Sequence, residues 1–390
     1  MKLAVLTCGM LPIPAVQGGA VENLIDFYLE YNNTHQLHDI TVYSPWNKKI
    51  VSHPALLSTV NKYIFIDVTS FKARCERKLR SFFHSNEYYN YYIEYYFEKV
   101  YADLKKKDYD YIILENSIGL AYKLSQKGYN NIILHMHNEL RPSRATFHPI
   151  AFSSIVKIIT VSDYIKNTIP SFISKNTIQT VYNGIDLKYF NRKEASPLHR
   201  SQLGFFDKDF VIVYSGRINK EKGISELIEA MLQLESPNIK LMVLGGSFFD
   251  NSKDEDNFIL SLKKKAETIK KQIVFTGFIP YQQVPEYLQL ADIAVLPSMW
   301  NEPFGLTIVE AMAIGLPLIT TRSGGIPEIC EKVAIIVDRK DVVNNLATAI
   351  LDLYHNPNKR KLMATASLER AKLFDKETYA ENFFNAIYTI

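Results

Sequence analysis

Hydrophobic positions along this chain fall into short continuous runs instead of an even alternation. In the first half such runs lie near Lys2–Thr7, Asp39–Tyr43, Tyr63–Asp67, Tyr111–Leu114, Asn131–His135, Lys157–Val161 and Gln179–Val181. They recur in the second half near Phe210–Tyr214, Lys240–Leu244, Gln272–Phe275, Ile293–Leu296, Leu318–Thr320 and Ala334–Val337. Short apolar runs bounded by turn-forming residues predict strands of a parallel sheet, whose two faces are both covered by helices. Between the runs, apolar residues recur at helical spacing. Leu306, Val309, Met312 and Ala313 form one such stripe, stopped by Gly315-Leu316-Pro317. Strand and helix alternate in both halves, which predicts an α/β protein of two Rossmann-like domains. Ligands are expected at the carboxyl ends of the strands, in a central cleft between the domains.

Length agrees with two domains, because 390 residues exceed what one hydrophobic core supports. The turn-forming Asn183-Gly184-Ile185-Asp186 and the polar stretch Asn191–Gln202 mark the connection. We place the domains at 1–187 and 188–374, followed by a last helix in 375–390. Hydrophobic residues at 47% and charged residues at 22% describe a globular enzyme, and no apolar stretch is long enough to span a membrane. The opening Met1–Cys8 reads as a first strand and not as a signal peptide. Cys8, Cys75 and Cys330 are scattered, without metal-ligand spacing, so a reducing cytoplasm is expected.

The net charge of +4 conceals a basic first half. Lys72, Arg74, Arg77, Lys78 and Arg80 interleave with Phe71, Leu79, Phe82 and Phe83, and a tyrosine-rich run from Tyr88 to Tyr101 follows. Residues 71–101 could therefore rest on an anionic membrane surface or hold a lipid-linked pyrophosphate. The alternative is a solvated helix followed by one packed through its tyrosines. Nucleic acid is not an expected partner, since the charge is modest and no recognition motif accompanies it.

Chemistry concentrates in Asn301–Gly315. Glu302 precedes a helix N-terminus and Glu310 sits about one and a half turns inside it. Free amides around Phe304, Gly305, Leu306 and Thr307 favour an anion, and Gly305 allows close approach. Carboxylates flanking a phosphate-ready helix start suit a hydroxyl-rich phosphorylated ligand, although a helix-start charge and a solvated face could produce the same pair. Gly216-Arg217 and Lys222-Gly223 follow the run Phe210–Tyr214, where guanidinium and ammonium suit a diphosphate. Gly18-Gly19 follows the first run and precedes a helix, without the Gly-x-Gly-x-x-Gly spacing of nicotinamide enzymes. His135 ends the run Asn131–His135 and His137 follows it, with no nearby third ligand of suitable spacing; no metal is expected. Ser162 before Asp163 could line the cleft or cap a helix.

Several of these segments together resemble one family. Glu302-x7-Glu310, the Gly216-Arg217…Lys222-Gly223 loop, Phe275-Thr276-Gly277-Phe278-Ile279 and Gly324-Gly325-Ile326-Pro327-Glu328 are similar to motifs of the retaining family-four glycosyltransferases, enzymes of the two-domain GT-B fold. Coverage is best from about residue 155 to 330. The resemblance implies a nucleoside diphospho-sugar donor, UDP-linked by preference, and a glycan or lipid-linked acceptor, as in bacterial surface polysaccharide synthesis. It implies Glu310 on the ribose, Arg217, Lys222 and the 305–307 amides on the diphosphate, and Ile279 beside the nucleobase. Glu302, Phe304–Leu306, Gly19 and His137 would meet the transferred sugar, and the last helix would cross back to the first domain. Retention without a protein nucleophile, metal or other cofactor follows from the same resemblance. A glycoside hydrolase, a phosphorylase on the same scaffold and a non-catalytic sugar-nucleotide-binding subunit are the rival readings. A hydrolase would have no use for the basic loop.

Overall fold

The computed structural model describes residues 1–81, 91–140, 148–191, 197–246 and 257–390. The chain divides into two compact units, Met1–Asn183 with Lys376–Ile390, and Gly184–Asp375.

The first unit contains β1 (Lys2–Leu6), β2 (Asp39–Pro45), β3 (Asn61–Ile66), β4 (Tyr111–Glu115), β5 (Ile132–Met136), β6 (Ile155–Thr160) and β7 (Ile178–Thr180). They form one seven-stranded sheet in the order β3-β2-β1-β4-β5-β6-β7, with every pair parallel. All five residues of β5 are buried, as the continuous apolar run demands of a strand covered on both faces. One face packs Leu3, Val5, Ile113 and Ile133 against Tyr28 of the helix Ala20–His35 and against Phe383 and Phe384 of the helix Lys376–Tyr388. Tyr28 and Phe383 stack with ring centroids 4.4 Å apart. Strand order reverses between β1 and β4, so the loops after these strands diverge and leave a crevice at their carboxyl ends.

The second unit contains β8 (Phe210–Ser215), β9 (Ile239–Leu244), β10 (Ile273–Gly277), β11 (Ile293–Leu296), β12 (Leu318–Thr321) and β13 (Ala334–Val337). Its six-stranded sheet has the order β10-β9-β8-β11-β12-β13, again wholly parallel. Ile212, Tyr214 and Val243 pack against Ile228 of the helix Ile224–Leu232 and against Leu346 and Ile350 of the helix Val342–His355. Here the strand order reverses between β8 and β11. Both candidate donor segments, Gly216–Gly223 and Pro297–Gly305, emerge at that reversal. Each apolar run found in the sequence is a strand, with ends displaced by at most two residues.

The basic aromatic segment resolves into two helices, Phe71–Ser81 and Tyr91–Leu104, while residues 82–90 lie outside the described ones. The second helix packs through Tyr95, Tyr96 and Phe97, and Tyr96 Oη donates to the Tyr43 carbonyl at 2.7 Å. On the first, Phe71 and Leu79 are 83% and 63% exposed. Ser162 caps the helix Asp163–Lys166, its Oγ accepting from the Ile165 N–H at 3.1 Å. Among the described residues no helix is long and apolar enough to cross a membrane.

Candidate functional site

Beyond β11 the chain turns through Ser298–Pro303 and enters the helix Leu306–Ala313 at Gly305, whose φ is +113°. No side chain caps this helix, so its first amides keep their capacity for an anion. Glu302 is 7% exposed, and its Oε1 accepts from Lys222 Nζ at 2.5 Å and from Ser298 Oγ at 2.8 Å. Lys222 Nζ also lies 5.6 Å from the centre of the Trp300 ring. A charge-assisted pair in a part-buried setting fixes both side chains at one spot. Lys222, Ser298, Glu302, Gly305 and Thr307 line one recess.

Main-chain contacts hold this arrangement. The Met299 N–H donates to the Glu221 carbonyl at 2.8 Å, joining the two loops. Gly223 has φ +70°, and a Cβ there would stand 1.8 Å from the Pro297 carbonyl oxygen. Gly324 has φ +53°, and a Cβ would stand 2.1 Å from the Glu302 carbonyl oxygen, which accepts from the Gly325 N–H at 2.8 Å. Only glycine permits either approach. The Gly324-Gly325 segment therefore acts on Glu302 through the main chain.

Arg217 is exposed just past β8, after Gly216 at φ +148°, and its carbonyl accepts from Tyr214 Oη at 2.9 Å. Among the described residues its guanidinium has no ion-pair partner. Phe304 turns its ring into the core, 5.8 Å from that of Phe374, so only its main chain can serve a ligand. Glu310 is 6% exposed. Burial pushes its carboxyl up to about 7, opposed by a hydrogen bond from Tyr281. Tyr281 follows the loop after β10, two residues past the half-buried Ile279, and its ring lies 5.5 Å from Phe190. The structure thus brings Lys222, Glu302, Gly305 and Thr307 together and directs Glu310 toward the loop that carries Ile279.

In the first unit, Gly18 and Gly19 adopt φ +75° and +115° ahead of the helix Ala20–His35. Glu22 in its first turn is buried, which raises its carboxyl. His137 directly follows β5 and is also buried, with Nε2 2.8 Å from Glu115 Oε2. Burial and the neighbouring His135 lower His137 to about 4, against the pull of Glu115. Burial alone would raise Glu115, yet the two imidazoles hold it far below the usual carboxylate range. Sequence spacing misses Glu115, because it meets His135 through the parallel register of β4 and β5. A carboxylate ending an apolar run was the available signal. Ser298 and Tyr281 were missed as well, and neither belongs to a spacing that marks it.

Two parallel Rossmann-like units, with a lysine–carboxylate pair at an uncapped helix start beside a strand-order reversal, define a GT-B scaffold. Solved structures share it over the whole chain. An Anabaena protein, HepE, in complex with UDP and glucose matches with a TM-score of 0.74 at 20% identity, covering 100% of both chains. Sucrose-phosphate synthase from Thermosynechococcus elongatus matches with a TM-score of 0.76 at 20% identity, covering 100% of this chain and 98% of that one. Residues 196–370 match the family model described as glycosyl transferases group 1. Spore coat protein SA of Bacillus subtilis is 29% identical over 99% of this chain and 98% of its own length. A lipopolysaccharide 1,2-N-acetylglucosaminetransferase of Salmonella typhimurium is 28% identical over 56% of each chain.

Proposed function

We propose that this protein transfers a hexose-type sugar from a nucleoside diphospho-sugar, UDP-linked by preference, to a hydroxyl of a glycan or lipid-linked glycan, with retention. The pairing of Lys222 with Glu302 at the uncapped helix start carries this reading. Lys222, Arg217 and the 305–307 amides meet the diphosphate, and Glu310 accepts from the ribose hydroxyls. Glu302, steadied by Lys222 and Ser298, accepts from the transferred sugar. HepE, the structural neighbour solved with UDP and glucose, supports the choice of nucleotide.

In the transfer step the bond from the anomeric carbon to the diphosphate oxygen breaks while the acceptor oxygen bonds to that carbon on the same face. The acceptor proton passes to the departing phosphate oxygen. Lys222 and Arg217 stabilise the charge that grows on the leaving group, a role that needs no divalent cation at the diphosphate. Glu302 is a poor nucleophile, since one carboxylate oxygen already serves two donors. This disfavours hydrolysis through a glycosyl-enzyme intermediate. Among the first unit's candidates, His137 retains Nδ1 for a sugar hydroxyl, and Gly18-Gly19 offers main chain free of side chains.

Incubation with UDP-sugars and an acceptor panel tests this reading. UDP release that depends on acceptor, with a retained anomeric configuration by NMR, is expected; free sugar as the sole product would contradict it. We also assign the exposed Phe71 and Leu79, with Lys72 and Arg74, to the inner face of an anionic membrane, where a lipid-linked acceptor resides. Co-sedimentation with anionic but not neutral liposomes is expected, and equal, negligible binding to both would remove the assignment.

A further inference from the structure

The first unit holds a buried polar cluster, of which Glu115 and His135 have no part in the proposed donor binding. Glu115 closes β4, and His135 stands opposite it in the register of β4 and β5. His137, two residues on, returns to the same face because side chains along extended chain alternate. Glu115 Oε2 lies 2.8 Å from His137 Nε2 and 3.0 Å from His135 Nδ1. The carboxylate's other oxygen accepts from Tyr28 Oη at 3.0 Å, and the Asn116 side chain accepts from the His137 main-chain N–H at 3.1 Å.

His135 is the unexplained member. It is 0% exposed, and neither ring nitrogen makes a hydrogen bond, because the 3.0 Å approach of Nδ1 to Glu115 lacks the necessary alignment. Phe383 covers the imidazole with ring centroids 5.2 Å apart. A buried polar group left unmatched costs on the order of 1–3 kcal/mol, and few such groups persist in folded proteins. A leucine at this position would avoid the cost.

Two imidazole nitrogens and one carboxylate oxygen, all within 4.8 Å of one another, would be matched together by a single cation, which satisfies His135 at Nδ1 and leaves Nε2 as before. We propose that Glu115 Oε2, His135 Nδ1 and His137 Nε2 bind one divalent transition-metal ion of the zinc class. Two imidazoles and a carboxylate suit zinc, cobalt or iron(II), whereas magnesium and calcium select oxygen ligands. Tetrahedral bonds of about 2.0–2.2 Å hold donor atoms about 3.3–3.5 Å apart, so the two carboxylate–imidazole pairs need open by about half an ångström. Tyr28 supplies the hydrogen bond that orients a ligating carboxylate. The ion ties the carboxyl ends of β4 and β5 together and fixes the main chain around His137. No step of the transfer reaction runs through the ion, and binding through Nε2 leaves His137 Nδ1 for the sugar contact proposed above.

Full-length protein, stripped with chelator, equilibrated with excess Zn2+ and desalted, provides the test by mass-spectrometric metal content without nucleotide present. The expected result is about one Zn2+ per chain, with bound Co2+ giving the visible absorption of a nitrogen–oxygen tetrahedral site. Glu115→Gln and His135→Asn should each lose the ion, while circular dichroism and UDP binding by the second unit report that the variants fold. If either variant fails to fold, X-ray absorption on the zinc-loaded parent protein decides, with two imidazole ligands expected. Zinc below about 0.1 per chain, undiminished zinc in both folded variants, or a spectrum without imidazole would overturn the proposal.

Discussion

Glu310 offers a prediction whose size can be worked from its surroundings. Its carboxyl ordinarily titrates near 4.5, and burial in the helix Leu306–Ala313 pushes it up to about 7. In the proposed donor complex ribose hydroxyls donate to the ionised form, so nucleotide binding would first remove a proton at lower pH. Affinity should fall about tenfold per unit below pH 7, reaching about 100-fold, or about 2.7 kcal/mol, at pH 5. UDP itself takes up a proton near pH 6, so Glu310→Gln, which carries only that change, is titrated in parallel. Calorimetric titration from pH 5 to 8 should give a parent-to-variant affinity ratio that rises with pH and levels above 7. The shift has a second sign to check. A folded-state pKa above the unfolded one gives stability that is fully present below pH 4.5 and lost as pH rises through 7. The ligand-free protein should thus lose about 3 kcal/mol over this interval relative to Glu310→Gln. A flat affinity ratio and parallel melting curves would refute both the burial argument and the ribose assignment.

Other consequences follow from the donor loops. Lys222→Met should lower kcat by about 10²-fold or more, because it removes charge stabilisation at the leaving group; near-parental turnover would contradict its role. Gly223→Ala forces a Cβ to 1.8 Å from the Pro297 carbonyl oxygen at φ +70°, so a clear fall in Tm is expected, and an unchanged Tm would show that the loop can yield. The destabilisation should reach at least about 2 kcal/mol by denaturant titration. If side chains and amides neutralise the diphosphate as proposed, UDP affinity should be the same in EDTA as in Mg2+; a tenfold loss in EDTA would point to a bridging cation instead.

Sequence pattern disclosed the fold far better than it disclosed the site's supporting contacts. The strands were legible because a parallel sheet covered on both faces requires unbroken apolar runs such as Ile293–Leu296, whose burial is complete. Glu302 and Lys222 could be singled out by their places at strand ends, yet they are 80 residues apart and nothing local announces their pairing. Glu115 was hidden for the same reason, since sheet register alone sets it opposite His135. The Gly324-Gly325 segment was visible as a motif, but its action on Glu302 depends on a carbonyl contact that only the folded loops create. Ser298 looks like any turn serine until its hydroxyl meets the Glu302 carboxylate.

The central claim is that the second unit grips a nucleotide through its diphosphate, and melting temperature against nucleotide concentration tests it most directly. A ligand that binds only the folded state stabilises it in proportion to the logarithm of its excess over Kd. UDP and UDP-glucose at millimolar concentration should raise Tm in the parent protein, uridine should not, and Lys222→Met should abolish most of the shift. If UDP, GDP and dTDP, free or sugar-linked, all leave Tm unchanged, or if uridine matches UDP, the Lys222–Glu302 pair is not a donor grip.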